Sequence, residues 1–288
     1  MKKALVSAVV VCFNRKNDID KCLESVGKQT YKNMETIVVD NHSTDGSVEI
    51  IREKYPWARL VIMPDAKYGA CETFNIGFAT AKGEYVAILD DDVILPKTWV
   101  EHVMKKFEKE PESTAMIGTK IEDFNGKMMW PSPRKDGQEF YCGNFTGCAA
   151  MVRKDALDKT RYYAEEYYIW GNERELAAQI LAKGYKIKCI TDISVPHKGN
   201  SSETGVPAKK AYMTVRNGLW TCWMHEPLLF PPMLFWRSFM YLGWGVIVSF
   251  RHGRFIPVLR GVFDALLGLP RCLKYREVVK APEWVIRK

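Results

Sequence analysis

The chain has 288 residues, enough to bury a full core as one large domain or as one domain plus an extension. Its 47% apolar and 26% charged content is ordinary for a folded protein and excludes a disordered or fibrous chain. The net charge of +8 is uneven: residues 1–215 carry 31 Lys+Arg against 30 Asp+Glu, and residues 216–288 carry 11 against 4, so attraction to anionic surfaces belongs to the C-terminal part.

Met1-Lys2-Lys3 followed by the apolar run Ala4–Phe13 imitates a signal peptide, but Asn14-Arg15 follows at once and there is no small-x-small cleavage site. It reads as a first strand. Asn17 or Asp18 is the expected cap of a helix with Ile19, Cys22, Leu23 and Val26 on one face. A second strand, Glu35–Val39, ends in Asp40-Asn41. Ser43-Thr44-Asp45-Gly46 then turns into a helix holding Val48, Ile51 and Tyr55. Arg59–Met63 is a third strand and Thr73–Lys82 a third helix. Tyr85–Leu89 is a fourth strand ending in Asp90-Asp91-Asp92, and Pro96 opens a helix over Lys97–Lys109. This alternation predicts a mostly parallel sheet with helices on both faces. In such sheets ligands bind beyond the carboxyl ends of the strands, so Asn14-Arg15, Asp40-Asn41 and the acidic triplet should meet at one crevice. Three adjacent carboxylates repel one another, and oxygen ligands at a strand end suit Mg2+ or Mn2+.

Beyond Pro111, Ala115–Ile121 and Lys127–Trp130 flank the turn signal Asn125-Gly126 and predict a hairpin. Gly143–Val152 reads as another strand. A helix from about Asn172 to Lys183 stops at Gly184, and short strands at Lys186–Ile190 and Ile193–Val195 run into Pro196-His197. The eight cysteines form no CxxC pair, which argues for buried thiols in a reducing compartment and against a structural zinc site.

From Pro207 the chain becomes helical and more hydrophobic. Leu228–Phe250 is apolar except for Arg237 and contains Pro231-Pro232. Its uninterrupted part, Ser238–Phe250, is 13 residues, too short to span a bilayer as a helix. With Arg251, His252, Arg254, Arg260, Arg271, Lys274 and Arg276 around it, the region reads as helices lying in a membrane interface. A packed helical subdomain or homodimer interface is the alternative; so much aliphatic surface disfavours nucleic acid. The implied division is a catalytic domain over residues 1–205 and a membrane-associating region over 206–288. Removing about 227–288 is then expected to leave a soluble, nucleotide-binding protein.

Val9-Val10-Val11-Cys12-Phe13-Asn14-Arg15, Gln29-Thr30-Tyr31, Val38-Val39-Asp40-Asn41-His42-Ser43-Thr44-Asp45-Gly46 and Leu89–Val93 occur in an order that resembles the family 2 glycosyltransferases. The resemblance covers about residues 4–200. It implies the GT-A fold, a Rossmann-like sheet with helices on both faces, and inverting sugar transfer from a nucleoside diphosphate donor. Carried over by position, Asp40 would bind uracil or thymine N3–H of a UDP- or dTDP-sugar. Phe13 offers a π-face for the same base, and Arg15 is placed either to face the diphosphate or to cap a helix. Asp90 would take the ribose side, with Asp91 beside it on the nucleotide sugar, and Asp92 the metal. His197 matches a second metal ligand, and Gly143, Asn144, Thr146 and Gly147 match the region lining the donor sugar.

Relatives carry an acidic base motif, commonly Glu-Asp, where this chain has Asn172-Glu173. The departure leaves Glu173 as the implied base, with Glu175 as rival and Trp170 as a stacking wall for the acceptor. The tail around Tyr212, Arg216-Asn217 and Leu219-Trp220 resembles bacterial and archaeal relatives that assemble surface glycans. It implies a rhamnosyl- or hexosyltransferase on the cytoplasmic face of the cell membrane with a lipid-linked saccharide acceptor. A sugar-phosphate nucleotidyltransferase is a rival, but Phe13-Asn14-Arg15-Lys16 lacks the glycine-rich loop such enzymes use. A non-catalytic nucleotide-sugar binding protein is another.

Overall fold

The computed structural model describes residues 3–131, 136–199, 206–227 and 233–280. Pro231-Pro232 lie outside these, as does most of Lys198–Pro207, a polar, glycine-containing stretch that the sequence predicts as a loop. Four strands, β1 (Val6–Cys12), β2 (Met34–Asp40), β3 (Arg59–Ile62) and β4 (Tyr85–Asp90), run parallel in the order β3-β2-β1-β4. β1 is central and reads as continuous aliphatic sequence because both faces are covered. Val9, Val39 and Ile88 pack into one core, while Val10, Val38 and Leu89 pack into the other. Of the helices α1 (Lys16–Gly27), α2 (Ser47–Lys54), α3 (Ala70–Thr80) and α4 (Trp99–Phe107), α3 covers the first face through Phe74 and Phe78. The other three cover the second through Ile19, Leu23, Ile51, Trp99 and Val103. Register aligns Cys12 with Asp40 and Val11 with Asp90, so the three polar strand ends emerge at one edge of the sheet.

The remaining strands, β5 (Thr114–Glu122), β6 (Met128–Trp130), β7 (Glu139–Cys142), β8 (Ala149–Arg153) and β9 (Lys186–Pro196), extend the sheet as β4-β8-β5-β9-β7, with β6 paired to β5. Here the sheet is mixed. β8 is antiparallel to β4 and β5, β7 is antiparallel to β9, and only β5–β9 is parallel. The parallel character predicted from the helix–strand alternation thus holds across β1–β4 and recurs only in the β5–β9 pair. The β5–β6 hairpin forms around Asn125-Gly126 as expected. Gly143–Cys148 is loop, because the small-residue run bends there to line the crevice. The two short strands after Tyr185 are one strand, β9, continuous through a register shift opposite Thr119/Lys120. Neither Asn17 nor Asp18 caps α1; Asp45, from the loop after β2, accepts the Lys16 N–H at 2.9 Å.

After α5 (Lys154–Leu157) and α6 (Asn172–Ala182) come four helices: α7 (Ala208–His225), α8 (Met233–His252), α9 (Phe255–Leu267) and α10 (Leu269–Lys274). The expected boundary at 205/206 does not separate two cores. Ala211, Val215, Leu219, Trp220 and Met224 of α7, with Val248, Val258 and Ala265 beyond it, belong to the same buried cluster as Val9 and Leu176. A Cβ on Gly218 would lie 2.3 Å from the Tyr241 ring, so α7 and α8 meet nearly backbone to ring. On α8, Arg237 is buried and ion-paired with buried Glu226, which also lies 3.8 Å from Arg174 of α6. The outer faces are different. Phe235, Phe239, Val246, Ile247 and Phe250 of α8 and Ile256, Leu259, Phe263 and Leu267 of α9 are exposed, up to 80% at Ile256. Among the described residues no helix is long and apolar enough to cross a membrane.

Candidate active site

The strand ends line a cleft of about 410 Å³ whose walls include Phe13, Arg15, Asp90, Asp91, Asp92, Thr146, Trp170, Glu173 and His197. The loop after β1 is tied to the loop after β2. Asn14, at a left-handed φ of 51°, donates its N–H to Ser43 Oγ at 2.8 Å and accepts the Thr44 N–H at 2.8 Å. That turn leaves the Phe13 ring half-exposed on the wall. Asp40 is not on the wall. It is wholly buried, with Oδ1 accepting the Ser43 N–H at 2.7 Å and Oδ2 without a partner.

In the triplet, Asp91 accepts the Phe13 N–H at 3.3 Å. Asp92 divides its oxygens: Oδ2 meets Arg15 Nη1 at 3.0 Å, and Oδ1 meets His197 Nε2 at 2.9 Å. His197 is brought here by its bridge to Val93 and by donating its N–H to Glu122 at 2.8 Å. The same Nε2 lies 3.6 Å from Asp90 Oδ2, so Asp90, read from sequence as a ribose contact, joins the His197 side.

Burial and the neighbouring Asp92 push the Asp90 carboxyl up to about 6 and that of Asp91 up to about 8. Burial would raise Asp92 too, but His197 and Arg15 outweigh it and hold it below the ordinary range. Burial works against the His197 imidazolium, yet Asp92 and Asp90 hold it above its ordinary value. Two carboxylates and an imidazole clustered at a strand end fit a divalent cation that accepts oxygen and nitrogen donors. The Cys148 thiol reaches the same space, and burial first, with the charges of Asp90 and Glu173 behind it, pushes it far above the ordinary thiol range.

Glu173 stands in the first turn of α6, on the opposite wall. Its carboxyl is pushed up to about 7, by burial first and the Asp90 charge second, against hydrogen bonds from its own N–H and that of Gly147. Gly147 is therefore not on the donor wall; a Cβ there would sit 3.2 Å from Glu173 Oε1, and the glycine lets this backbone reach the acid. Thr146 and Cys148 on either side are the residues that line the cleft. Glu175 points elsewhere: it is buried and bonded to Arg161 at 2.7 Å and Gln179 at 2.7 Å, with His225 Nε2 at 3.3 Å.

Trp170 lines the cleft beside Glu173. It sits on a segment in which Tyr168, Trp170 and Gly171 have φ of 64°, 64° and 85°, a costly run for the two aromatic residues. The buried Asn217 of α7 holds that segment, its Nδ2 lying 3.1, 3.2 and 2.8 Å from the carbonyls of Tyr167, Ile169 and Trp170. Arg216 adds a bond to the Glu166 carbonyl at 2.7 Å. Asn217 lies 47 residues from Trp170; the sequence marks Arg216-Asn217 only through the tail resemblance, which gives it no contact with this segment. Gly69 was missed: it opens α3 against this segment, where a Cβ would fall 2.5 Å from the Tyr168 carbonyl.

A mixed sheet with an acidic strand end, an imidazole and a separate acid across one cleft defines a nucleotide-sugar-type transferase fold, the GT-A class. Residues 7–161 match glycosyl transferase family 2, and the chain belongs to that family. It is 35% identical over 116 residues to the glycosyltransferase GlyG of Streptococcus pneumoniae, covering 40% of this chain and 38% of the relative. It is 29% identical over 190 residues to the Escherichia coli enzyme WfaP, a UDP-Glc:α-D-GlcNAc-diphosphoundecaprenol β-1,3-glucosyltransferase, covering 64% and 73%. The match spans little more than a third of the length of GlyG and of two Haemophilus influenzae glycosyltransferases. Among solved structures, Staphylococcus aureus TarS superposes with a TM-score of 0.66 at 15% identity, covering 93% of this chain and 80% of that one. The Pyrobaculum calidifontis mannosyltransferase PcManGT, solved with GDP-Man and Mn2+, superposes with a TM-score of 0.60 at 17% identity, covering 94% and 82%.

Proposed function

We propose that this cleft transfers a hexosyl or deoxyhexosyl group, with inversion, from a UDP- or dTDP-sugar to a hydroxyl of a lipid-linked saccharide in surface glycan assembly. The observation that carries the reading is Glu173. A carboxyl near neutrality opens onto the same cleft as Asp90, Asp92 and His197, and a base with that proton affinity suits catalysis at physiological pH. Phe13 offers its ring to the base, while Asp40, buried behind the cleft, holds the Ser43 N–H of the loop beside it. Arg15 faces the diphosphate. Asp92 and His197, with Asp90 beside them, would hold Mg2+ or Mn2+, and the charge such an ion supplies offsets that of the leaving diphosphate. Glu173 accepts the proton of the acceptor hydroxyl as its oxygen bonds to the anomeric carbon. The bond from that carbon to the diphosphate breaks on the opposite side. Trp170 stacks on the acceptor sugar.

The neighbour with Mn2+ and the diphosphoundecaprenol-linked relative support the ion and the acceptor class. The exposed apolar face of α8 and α9, bordered by Arg251, Arg254 and Arg260, supports attachment to the inner face of the cell membrane. Glu173→Gln tests the assignment. Transfer should fall by roughly 10²–10⁴-fold while metal-dependent UDP or dTDP binding persists; unchanged transfer would overturn the base. A panel of nucleotide sugars, scored for metal-dependent donor hydrolysis, identifies the donor.

A further inference from the structure

Between α7 and α9 lies a second cleft of about 380 Å³, lined by Lys209, Tyr212, Met213, Ile256, Pro257 and Arg260. Its floor is apolar, and it opens onto the exposed face formed by Phe255, Ile256 and Leu259. Its rim is cationic. The Arg260 side chain is 75% exposed, with Nε 3.7 Å from Asp264, whose carboxylate already accepts the Tyr212 hydroxyl at 2.6 Å. Lys209 and Lys210 have no carboxylate partner among the described residues. Instead Lys209 Nζ lies 3.9 Å from the centre of the Tyr168 ring, and Lys210 Nζ lies 5.9 Å from that of Trp170. These are the aromatic residues of the segment that lines the catalytic cleft beside Glu173.

Apolar groove, cationic rim, aromatic wall and Glu173 therefore follow one another across the surface. The geometry points to a binding site for the diphosphate and first isoprenoid units of a lipid-diphosphate-linked acceptor, with the chain in the α7–α9 groove and the diphosphate on Lys209, Lys210 and Arg260. This rests on the transferase reading above and adds a site to it. The charge pattern selects the occupant. Two lysines without a carboxylate partner among the described residues and an arginine at the end of an apolar slot complement a dianionic or trianionic head on a hydrocarbon tail. A plain alcohol lipid would leave the cations unused, and free pyrophosphate would leave the groove unused.

The test is equilibrium binding of farnesyl diphosphate to the full chain. Farnesol and inorganic pyrophosphate should each bind at least about tenfold more weakly. Lys209→Ala/Lys210→Ala and, separately, Ile256→Asp should each weaken farnesyl diphosphate binding by at least about tenfold. Lys105→Ala, on the remote surface of α4, should not change it. All three sites are on exposed surface, and unaltered thermal unfolding verifies that each variant is folded. The proposal is overturned if the lysine pair or Ile256 can be replaced without effect. It is equally overturned if pyrophosphate, or dihexanoyl-phosphatidylglycerol below its micelle concentration, binds as tightly as farnesyl diphosphate. Failure of the transferase reading looks different: no nucleotide sugar would be hydrolysed or used, while farnesyl diphosphate binding followed the expected pattern.

Discussion

Glu173 carries opposing demands of function and stability. Desolvation that brings its carboxyl to about 7 also means that the folded protein holds the proton longer than the unfolded chain, whose glutamates titrate near 4.5. The native state binds more protons between those values, so stability falls as pH rises from about 4.5 to about 7, by roughly 3 kcal/mol for this group. Activity runs the other way. Only the carboxylate accepts a proton, so kcat/KM should climb with pH and level off above about 7. Glu173→Gln separates the two: it should abolish the acid limb along with transfer, yet unfold at higher denaturant than the parent at pH 8, with the difference vanishing near pH 4. A variant as unstable as the parent at pH 8 would show that Glu173 is not desolvated. At the proposed metal site the direction is set by Asp92, which His197 and Arg15 hold low against its burial. Asp92→Asn should therefore remove metal-dependent nucleotide binding, read as loss of the Mn2+-induced increase in UDP affinity.

At the level of elements, legibility followed locality. The ends of β1, β2 and β4 were readable because a buried parallel strand must be aliphatic and must stop where its polar residues begin, and register then fixes their convergence. What was not readable depends on contacts between distant segments. The Asp45 cap on α1, the Gly147 backbone against Glu173 and the merging of two short strands into β9 are each set by a partner strand or loop. Asn217 is the extreme case, since its helix lies beyond the part of the chain that carries the catalytic motifs. Asn217→Ala would leave the carbonyls of Tyr167, Ile169 and Trp170 without that donor and release a segment with two strained aromatic residues. The expected loss is about 1–3 kcal/mol of stability. The functional signature of a positioning role is a fall in kcat and a rise in acceptor KM with unchanged nucleotide affinity. Equal losses in donor and acceptor binding would mark a merely structural one.

For the molecule as a whole, α8 has two faces with different jobs. Its inner face is part of the buried core: Arg237 neutralises Glu226, and Val248 belongs to the same cluster as the α7 residues that pack on α6. Deleting 227–288 would strip α7 of its cover and leave Glu226 without Arg237, and breaking a buried pair alone costs roughly 3–5 kcal/mol. The truncated chain should therefore be insoluble or unfolded by circular dichroism, contrary to the soluble nucleotide-binding remainder expected from the sequence. The outer face carries no such burden. Phe239, Ile247, Leu259 and Phe263 are each at least 60% exposed, so replacing them with serine removes apolar area that the fold does not use. The quadruple variant should keep its urea midpoint and its transfer to a water-soluble acceptor, yet no longer sediment with anionic vesicles at low salt. Retained vesicle binding would move the membrane contact elsewhere. If the parent instead ignores vesicles and sediments as a dimer that the variant loses, the same face is a subunit interface, and the acceptor must reach the cleft from solution.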